Sequence, residues 1–379
     1  MAKKSRVTKI LSEKQLAKKY PGSGRAIEIA LSDEHIIRLP TRCVPLNYQL
    51  NGGIIYGKII EIFGEESTGK TLLAQDFGYC CQSLGGEIIW ADAENSFNTA
   101  WATKNGLDPN TIHLMEDCAM ENISDWVQDT IISIRARLIK NEPILLILDS
   151  LAAIRCIEEI GESQLDARAK FGNRAKAISD FLGNRNKLFA KMGVCVILIN
   201  QLRRKIGATQ FEDPDKTPGG DATKFYAAQR LGLVRGKQIK KKINGIEVKV
   251  GQNVYLRTKK DKTGPPRSTT PAQVYFRSTK TNGVGFDKYF GLPELLVQLK
   301  VIERKKGASR YYMDGEVIAN GEDAFMELLA SNEELRKKLI HKSGINTISR
   351  VRSKLDNIST NLYPVNIKGD KSEEDITEE

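Results

Sequence analysis

The sequence predicts an α/β protein whose core is a doubly wound, mostly parallel β-sheet. Short, almost uninterrupted apolar runs recur through the centre of the chain, as in parallel strands buried on both faces. Longer helical patterns lie between these runs, which is typical of βαβ units. A glycine-containing segment directly follows one run, where a strand of such a sheet gives way to a helix. The predicted strands are KIIEIF, GEIIWADA, PILLILDS and GVCVILINQ.

Length and composition agree with this class. The chain has 379 residues, of which 40% are hydrophobic and 28% charged. No apolar run approaches the roughly 18–20 residues that span a bilayer, and the basic start lacks the apolar stretch of a signal peptide. The six cysteines form no CxxC pair, which disfavours a zinc site or a disulfide framework. We therefore expect a cytoplasmic protein that contacts no membrane.

The charge is uneven along the chain. Its net value of +11 favours a polyanionic partner. The stretch Arg235–Lys262 carries ten basic residues against Glu247 and Asp261. Within it, Asn244-Gly245 separates two alternating runs and predicts a β-hairpin, whose role the sequence leaves open, with a solvated edge as the default. The final residues, SEEDITEE, are acidic and predict a disordered tail.

The segment GEESTGKT after the first predicted strand matches the phosphate-binding pattern GxxxxGK[ST]. Its glycines permit a tight curl that points backbone N–H groups at phosphates, and the following helix N-terminus adds its dipole. Lys70 is expected to reach the β- and γ-phosphates of ATP, and Thr71 to ligate Mg²⁺. The expected phosphate-site residues are Gly64, Glu65, Glu66, Ser67, Thr68, Gly69, Lys70, Thr71 and Leu72.

Acidic residues end two other predicted strands. Asp149 ends PILLILDS, where a carboxylate projects into the ligand crevice and orients Mg²⁺. Asp92 and Glu94 end GEIIWADA, and either is a candidate to activate the attacking water. The alternative is that this segment simply caps the next helix. Spacing alone does not decide between them.

Several blocks in order resemble one family, the bacterial RecA-type recombinases and their phage-encoded relatives. The resemblance spans about Ile54 to Phe276. The blocks are GKIIEIFGEESTGKT, ADAENSFNTAWATKNGLDP, LLILDSLAAI, ILINQLRRKIG, TPGGDATKFYAAQRLGLVR and TKKDKTGPP. The resemblance implies a RecA-like P-loop NTPase fold. It also implies that Glu94 activates water, that Trp101 lies against the adenine, and that Gln201 senses the γ-phosphate.

The same resemblance assigns residues that act between molecules. Lys260 and Lys262 correspond to lysines that reach the ATP of the neighbouring subunit. Two segments correspond to DNA-binding loops, 157–164 and 202–217. For the second, the basic side chains and Phe211 support nucleic-acid binding independently of the family. The expected DNA-binding residues are Arg168, Arg174, Arg203, Arg204, Lys205, Phe211, Gly219 and Gly220.

The implied function is a DNA-dependent ATPase that forms filaments on single-stranded DNA and catalyses pairing and strand exchange with homologous double-stranded DNA. Single-strand-binding and loader proteins are further candidate partners. The predicted parts are an N-terminal oligomerisation segment (1–38), an ATPase core (39–284), a small α/β C-terminal domain (285–360) and an acidic tail (361–379). Two alternatives stay open: a ring-shaped or branch-migrating motor on the same core, and a nucleotide-switched scaffold that coats DNA without pairing it.

Overall fold

A computed structural model describes residues 18, 36–160, 167–204, 215–216, 220–265, 269–278, 283–305 and 307–364. The chain divides into two compact units, Met1–Ile37 and Arg38–Glu379. The predicted oligomerisation segment lies almost entirely outside the described residues. All elements named below belong to the second unit.

The strands are β1 (Arg38–Leu39), β2 (Ile54–Ile55), β3 (Ile59–Gly64), β4 (Glu87–Asp92), β5 (Ile112–Met115), β6 (Ile144–Asp149), β7 (Val194–Gln201), β8 (Arg203–Arg204), β9 (Asp215–Lys216), β10 (Gln229–Ile243), β11 (Ile246–Asp261), β12 (Thr269–Tyr275), β13 (Gly285–Phe286), β14 (Glu303–Arg304), β15 (Arg310–Met313) and β16 (Glu316–Asn320). The helices are α1 (Val44–Gln49), α2 (Lys70–Ser83), α3 (Thr99–Lys104), α4 (Met120–Arg137), α5 (Ile157–Ile160), α6 (Ala167–Met192), α7 (Gly220–Tyr226), α8 (Leu292–Gln298), α9 (Glu322–Ser331), α10 (Glu333–Ser343) and α11 (Ile348–Asn357). None of the helices in the described part of the chain is long and apolar enough to cross a bilayer.

Nine strands form the central sheet in the order β13-β12-β11-β10-β3-β7-β6-β4-β5. The six strands from β10 to β5 are parallel, and the three strands beyond β10 are antiparallel. The parallel strands share one carboxyl edge, where ligands bind in sheets of this kind. The predicted α/β class and mostly parallel sheet are confirmed.

Helices cover both faces of the parallel strands. On one face, apolar side chains from β4, β6 and β7 pack with α4 and α6 in a single buried cluster. On the other face, α2 lies so close to the sheet that a Cβ on Gly78 would come within 2.9 Å of the Ile88 side chain. This double cover explains why the strands read as continuous apolar runs.

The hairpin predicted at Asn244-Gly245 is confirmed. β10 and β11 pair in antiparallel fashion up to Ile243↔Ile246. The two turn residues have φ values of +51° and +81°, which match the type I′ turn that Asn-Gly favours.

The chain after β13 forms a small α/β layer. β14, β15 and β16 make an antiparallel sheet, and α8, α9 and α10 share an apolar cluster with it. The chain then returns to the core, where Tyr363 is only 4% exposed. A Cβ on Gly193 would lie 2.5 Å from the Tyr363 ring. Just before Tyr363, Asn141 Nδ2 donates to Thr360 O at 3.0 Å, and Leu362 N donates to Asn141 Oδ1 at 2.7 Å. The chain is therefore still packed against the core at Tyr363, the third residue of the predicted acidic tail.

Candidate functional site

The predicted phosphate loop lies between β3 and α2. Gly64 has no room for a side chain, because an added Cβ would lie 2.5 Å from Leu233 O. Gly69 has φ +93°, the left-handed region that glycine adopts without strain. Lys70 begins α2, and its Nζ donates to the carbonyls of Gly64 (3.1 Å) and Glu65 (2.8 Å). The loop thus curls around its own lysine ammonium at a helix N-terminus, a geometry suited to phosphate.

Thr71 and Asp149 form the candidate magnesium pair. Thr71 Oγ1 donates to Asp149 Oδ2 at 2.9 Å. Burial, assisted by the nearby charges of Glu94 and Asp92, raises the pKa of Asp149 to about 7, while Thr71 and Lys70 oppose the shift. A divalent cation here would neutralise this carboxylate. Mg²⁺ is commonly held by one or two protein oxygens together with phosphates and water, so the pair fits the ion.

The two acids at the end of β4 have different environments. Asp92 is fully buried and accepts from Phe97 N at 2.6 Å and from Ser96 Oγ at 3.4 Å. It therefore caps the turn after β4. Glu94 lies exposed in that turn. Of the two candidates for water activation, only Glu94 has its carboxylate directed away from the backbone of its own turn.

Glu94 is held by two donors through one oxygen. Oε1 accepts from Ser150 Oγ and from Gln201 Nε2, the second at 3.2 Å. Gln201 ends β7 directly opposite Gly64 in the strand register, and Leu202 N donates to Gly64 O at 3.0 Å. The expected sensor residue, the expected base and the phosphate loop therefore lie together at the carboxyl edge. Ser150 was not predicted, although its position directly after Asp149 is a signal.

Two further side chains brace the phosphate loop from β10 and β11. Arg235 donates to Glu66 O, and Gln252 Nε2 donates to Ser67 O at 2.9 Å. Within the loop, Thr68 Oγ1 donates to Glu65 O at 2.9 Å. No local pattern indicates the two braces, because Arg235 lies 169 residues and Gln252 lies 185 residues from its acceptor.

A buried ion pair lies beneath the loop. Glu61 in β3 is fully buried, and its carboxylate meets Arg230 Nε at 2.5 Å and Asn200 Nδ2 at 3.0 Å. The Arg230 guanidinium also lies 4.8 Å from the centre of the Phe63 ring. The pair ties β3, β7 and β10 together three residues before the phosphate loop begins.

Lys260 and Lys262 do not lie near the phosphate loop of their own chain. Lys260 pairs with Arg230, which pairs with Glu61, three residues before Gly64. At about 3.3 Å per residue, Lys260 lies about 10 Å back toward the amino edge of the sheet. Lys262 lies further along, where its N–H donates to Ala228 O at 2.9 Å. Both lysines are therefore set back from the nucleotide pocket of the same molecule.

An exposed aromatic residue accompanies these lysines. Phe225 is 70% exposed, and Lys262 Nζ lies 5.9 Å from its ring centre. Lys260 Nζ donates to the carbonyls of Lys224 and Phe225, the second at 3.3 Å. Phe225 thus presents an exposed ring beside the Lys262 ammonium.

The remaining predicted residues are less informative. Trp101 lies on α3, where its backbone N–H donates to Asn98 Oδ1 at 2.8 Å. Arg174 Nη1 donates to Ala152 O at 3.1 Å, two residues from Ser150. Leu72 is buried in α2. The side chains of Arg168, Arg203 and Arg204, and residues Lys205, Phe211 and Gly219, lie outside the described part of the structure; Gly220 begins α7.

Comparisons with known proteins give one consistent result. A family model described as RecA N-terminal domain matches residues 9–280. Protein RecA of Ureaplasma parvum serovar 3 is 31% identical over 334 residues, which cover 86% of this chain and 92% of that protein. Protein RecA of Cytophaga hutchinsonii is 31% identical over 321 residues (83% and 84%). Protein RecA 2 of Myxococcus xanthus is 31% identical over 334 residues (86% and 87%).

Proposed function

The chain belongs to the RecA family of recombinases, and from this premise we propose that it is a DNA-dependent ATPase that forms helical filaments on single-stranded DNA and catalyses homologous pairing and strand exchange in recombination and repair. One observation carries the proposal. Glu94 accepts a hydrogen bond from Gln201, and Gln201 leads directly into the segment 202–217 that resembles a DNA-binding loop.

The hydrolytic step uses side chains of the carboxyl edge. Lys70 places its ammonium against the β- and γ-phosphates, exchanging its present carbonyl acceptors for phosphate oxygens. Thr71 and Asp149 would hold a magnesium ion, which would neutralise charge on the phosphates. Glu94 accepts the proton of the attacking water, and its exposure leaves room for that water. Trp101 is proposed to cover the adenine, since indole stacks well on a base.

Coupling to DNA runs through Gln201. Its Nε2 now donates to Glu94, and a γ-phosphate oxygen is a strong, charged alternative acceptor for the same amide. Moving the amide to the phosphate would pull on Leu202 and the following segment. That segment carries Arg203, Arg204, Lys205 and Phe211, which supply sequence-neutral phosphate contacts and a stacking ring. Arg168, Arg174, Gly219 and Gly220 are proposed to complete the DNA surface.

The neighbouring subunit completes the site. Lys260 and Lys262 are set back from their own phosphate loop toward the amino edge of the sheet, so they suit an ATP held by the next molecule. Cations supplied in this way stabilise charge in the transition state, much as an arginine finger does. Hydrolysis would then depend on assembly, and the exposed Phe225 would be covered in the filament.

Turnover with and without single-stranded DNA tests the proposal. We expect ATP hydrolysis by the full chain to rise many-fold with single-stranded DNA and to fall as salt increases. Lys70→Ala should abolish turnover, and Lys262→Ala should spare ATP binding but suppress turnover. Mixing the two inactive variants should restore part of the activity, because an intact pocket then meets an intact lysine. No recovery in the mixture would refute action between subunits.

Strand exchange and microscopy separate this function from the alternatives. Recovery of heteroduplex from a circular single strand and homologous linear duplex would exclude a scaffold that only coats DNA. Electron micrographs of the protein with ATP and single-stranded DNA should show open helical filaments. Closed rings, or lone monomers under these conditions, would contradict the proposal.

Single-strand-binding and loader proteins are proposed to assist assembly in the cytoplasm.

A further inference from the structure

The distal part of the β10–β11 hairpin, residues 240–249, has no sheet neighbour among the described strands. β10 pairs with β3 only over Gln229–Leu233, and β11 pairs with β12 only from Gly251 onward. We call residues 240–249 the arm. Its two strands, residues 240–243 and 246–249, have four residues each and extend about 13 Å beyond the supported part of the sheet. A ribbon of this size gains little stability from its own contacts.

The arm has two different faces. Lys240 pairs with Lys249 and Lys242 pairs with Glu247, which places these four charged side chains on one face. Ile243 pairs with Ile246 and Lys241 with Val248, so the other face is mainly aliphatic. At the tip, Ile243 is 45% and Ile246 is 69% exposed. The arm thus combines four lysines and one glutamate with a small apolar tip.

The position of the arm favours DNA as its partner. β10 runs parallel to β3, so the arm leaves the sheet at the carboxyl edge, where Gln201 also ends β7. Only β3 separates the two strands, a spacing of about 10 Å. At the base of the arm, Arg235 and Gln252 donate to carbonyls of the phosphate loop. The arm therefore rises beside both the nucleotide pocket and the segment proposed to bind DNA.

We propose that the arm is a wedge for duplex DNA: its lysines bind backbone phosphates while Ile243 and Ile246 enter the minor groove and open a base step. Apolar side chains on basic supports unstack DNA in this way. Two isoleucines are too small a patch for a stable protein interface or for burial in a bilayer. The inference rests on the proposed function only in taking duplex DNA as a substrate.

The tip is tested with a short duplex that carries 2-aminopurine at a flexible TA step. Wild-type protein should raise the fluorescence, because the base becomes unstacked. The double variant Ile243→Ser/Ile246→Ser should abolish the rise and bind the duplex about 10-fold more weakly, as expected for losing two partly buried apolar side chains. Both positions are exposed in the free protein, so the variant should fold normally.

The lysines are tested by the salt dependence of duplex binding. Lys241→Gln/Lys242→Gln should reduce the slope of log K against log salt by about 1.8, or about 0.9 for each phosphate that is no longer neutralised. Lys337→Gln is the matched control, because this exposed lysine pairs with Glu333 on α10. An equal change in slope for the control and the arm variant would overturn the assignment of phosphate binding to the arm.

Two parallel measurements separate the possible failures. ATP hydrolysis stimulated by single-stranded DNA should be the same in the tip variant as in wild type. If wild type shows this stimulation but the tip variant unstacks the duplex as well as wild type does, the wedge is refuted and the proposed function stands. If wild type itself shows no stimulation, the proposed function fails instead. Cosedimentation with vesicles of phosphatidylserine and phosphatidylcholine tests for a membrane partner. The proposal would be overturned if wild type bound the vesicles and the tip variant did not, while both bound the duplex equally well.

Discussion

Replacing Ser150 with Ala should slow DNA-stimulated ATP hydrolysis while leaving ATP binding nearly unchanged. Ser150 Oγ is one of two donors to Glu94 Oε1, and the other is Gln201 Nε2 at 3.2 Å. The described hydrogen bonds place Ser150 against neither Lys70 nor Thr71. The substitution therefore removes support for the proposed base and leaves the phosphate-binding side chains in place.

The magnitude follows from the two bonds. A hydrogen bond to a charged group contributes about 1.5–3 kcal/mol. The remaining Gln201 bond is long and exposed, and in the proposed mechanism its amide turns to the γ-phosphate when ATP binds. Glu94 would then be free to rotate in an exposed turn. At about 1.4 kcal/mol per tenfold change, we expect kcat to fall about 10- to 100-fold and KM for ATP to change less than about twofold.

Steady-state turnover at saturating single-stranded DNA gives kcat and KM, and a fluorescent ATP analogue gives binding directly. Ser331→Ala is the matched control, because its hydroxyl bonds only to helix carbonyls in the described chain, Glu327 O and Leu328 O. A melting temperature close to wild type excludes a folding defect. Wild-type kcat in the Ser150 variant, or a loss confined to KM, would refute the role of this serine in positioning Glu94.

Three further predictions concern stability, each measured by urea unfolding without nucleotide or magnesium. Burial raises the pKa of Asp149 to about 7 in the folded protein, whereas the same carboxyl in the unfolded chain loses its proton at about pH 4. The free energy of unfolding therefore decreases as pH rises from about 4 to 7. Asp149→Asn should therefore stabilise the protein at pH 8 by up to about 4 kcal/mol and have little effect at about pH 4; an effect independent of pH would contradict this cause. Glu61→Gln should lower the free energy of unfolding by about 3–5 kcal/mol, because Arg230 stays buried without its carboxylate partner. A decrease under about 1 kcal/mol would show that the ion pair is not essential to the core. Tyr363→Ala should lower the free energy of unfolding by about 3–5 kcal/mol. The control Tyr255→Ala, at a half-exposed position, should lower it by less than about 1 kcal/mol. Similar decreases for the two variants would mean that the C-terminal segment does not stabilise the core.

Features that depend on neighbouring residues could be predicted from the sequence. The phosphate loop combines glycines with a following helix, and the Asn244-Gly245 turn needs only two residues that tolerate positive φ. The strands were recognisable because burial on both faces leaves them almost wholly apolar. Spacing could not separate Asp92 from Glu94, because their roles depend on the path of the turn between Asp92 and Phe97.

Features that depend on strand order could not be predicted. Gln252 braces Ser67 across 185 residues because β11 lies two strands from β3 in the sheet. Lys260 and Lys262 lie toward the amino edge because β11 runs antiparallel to β10. Tyr363 packs over Gly193, which has no side chain. No local sequence pattern indicates this contact, because the two residues are far apart in the chain.

If Lys260 and Lys262 act on the ATP of the neighbouring subunit, as proposed, their separation from their own phosphate loop makes the two ends of the assembly chemically different. A head-to-tail contact of this kind does not close on itself unless the rotation happens to form a ring. One terminal molecule would carry a pocket with no cations above it, and the other would carry cations with no pocket to fill. Growth and loss at the two ends would then proceed at unequal rates, and the terminal pocket would be the slowest in the polymer to consume its nucleotide. Short oligomers would leave a larger share of their pockets incomplete than long ones.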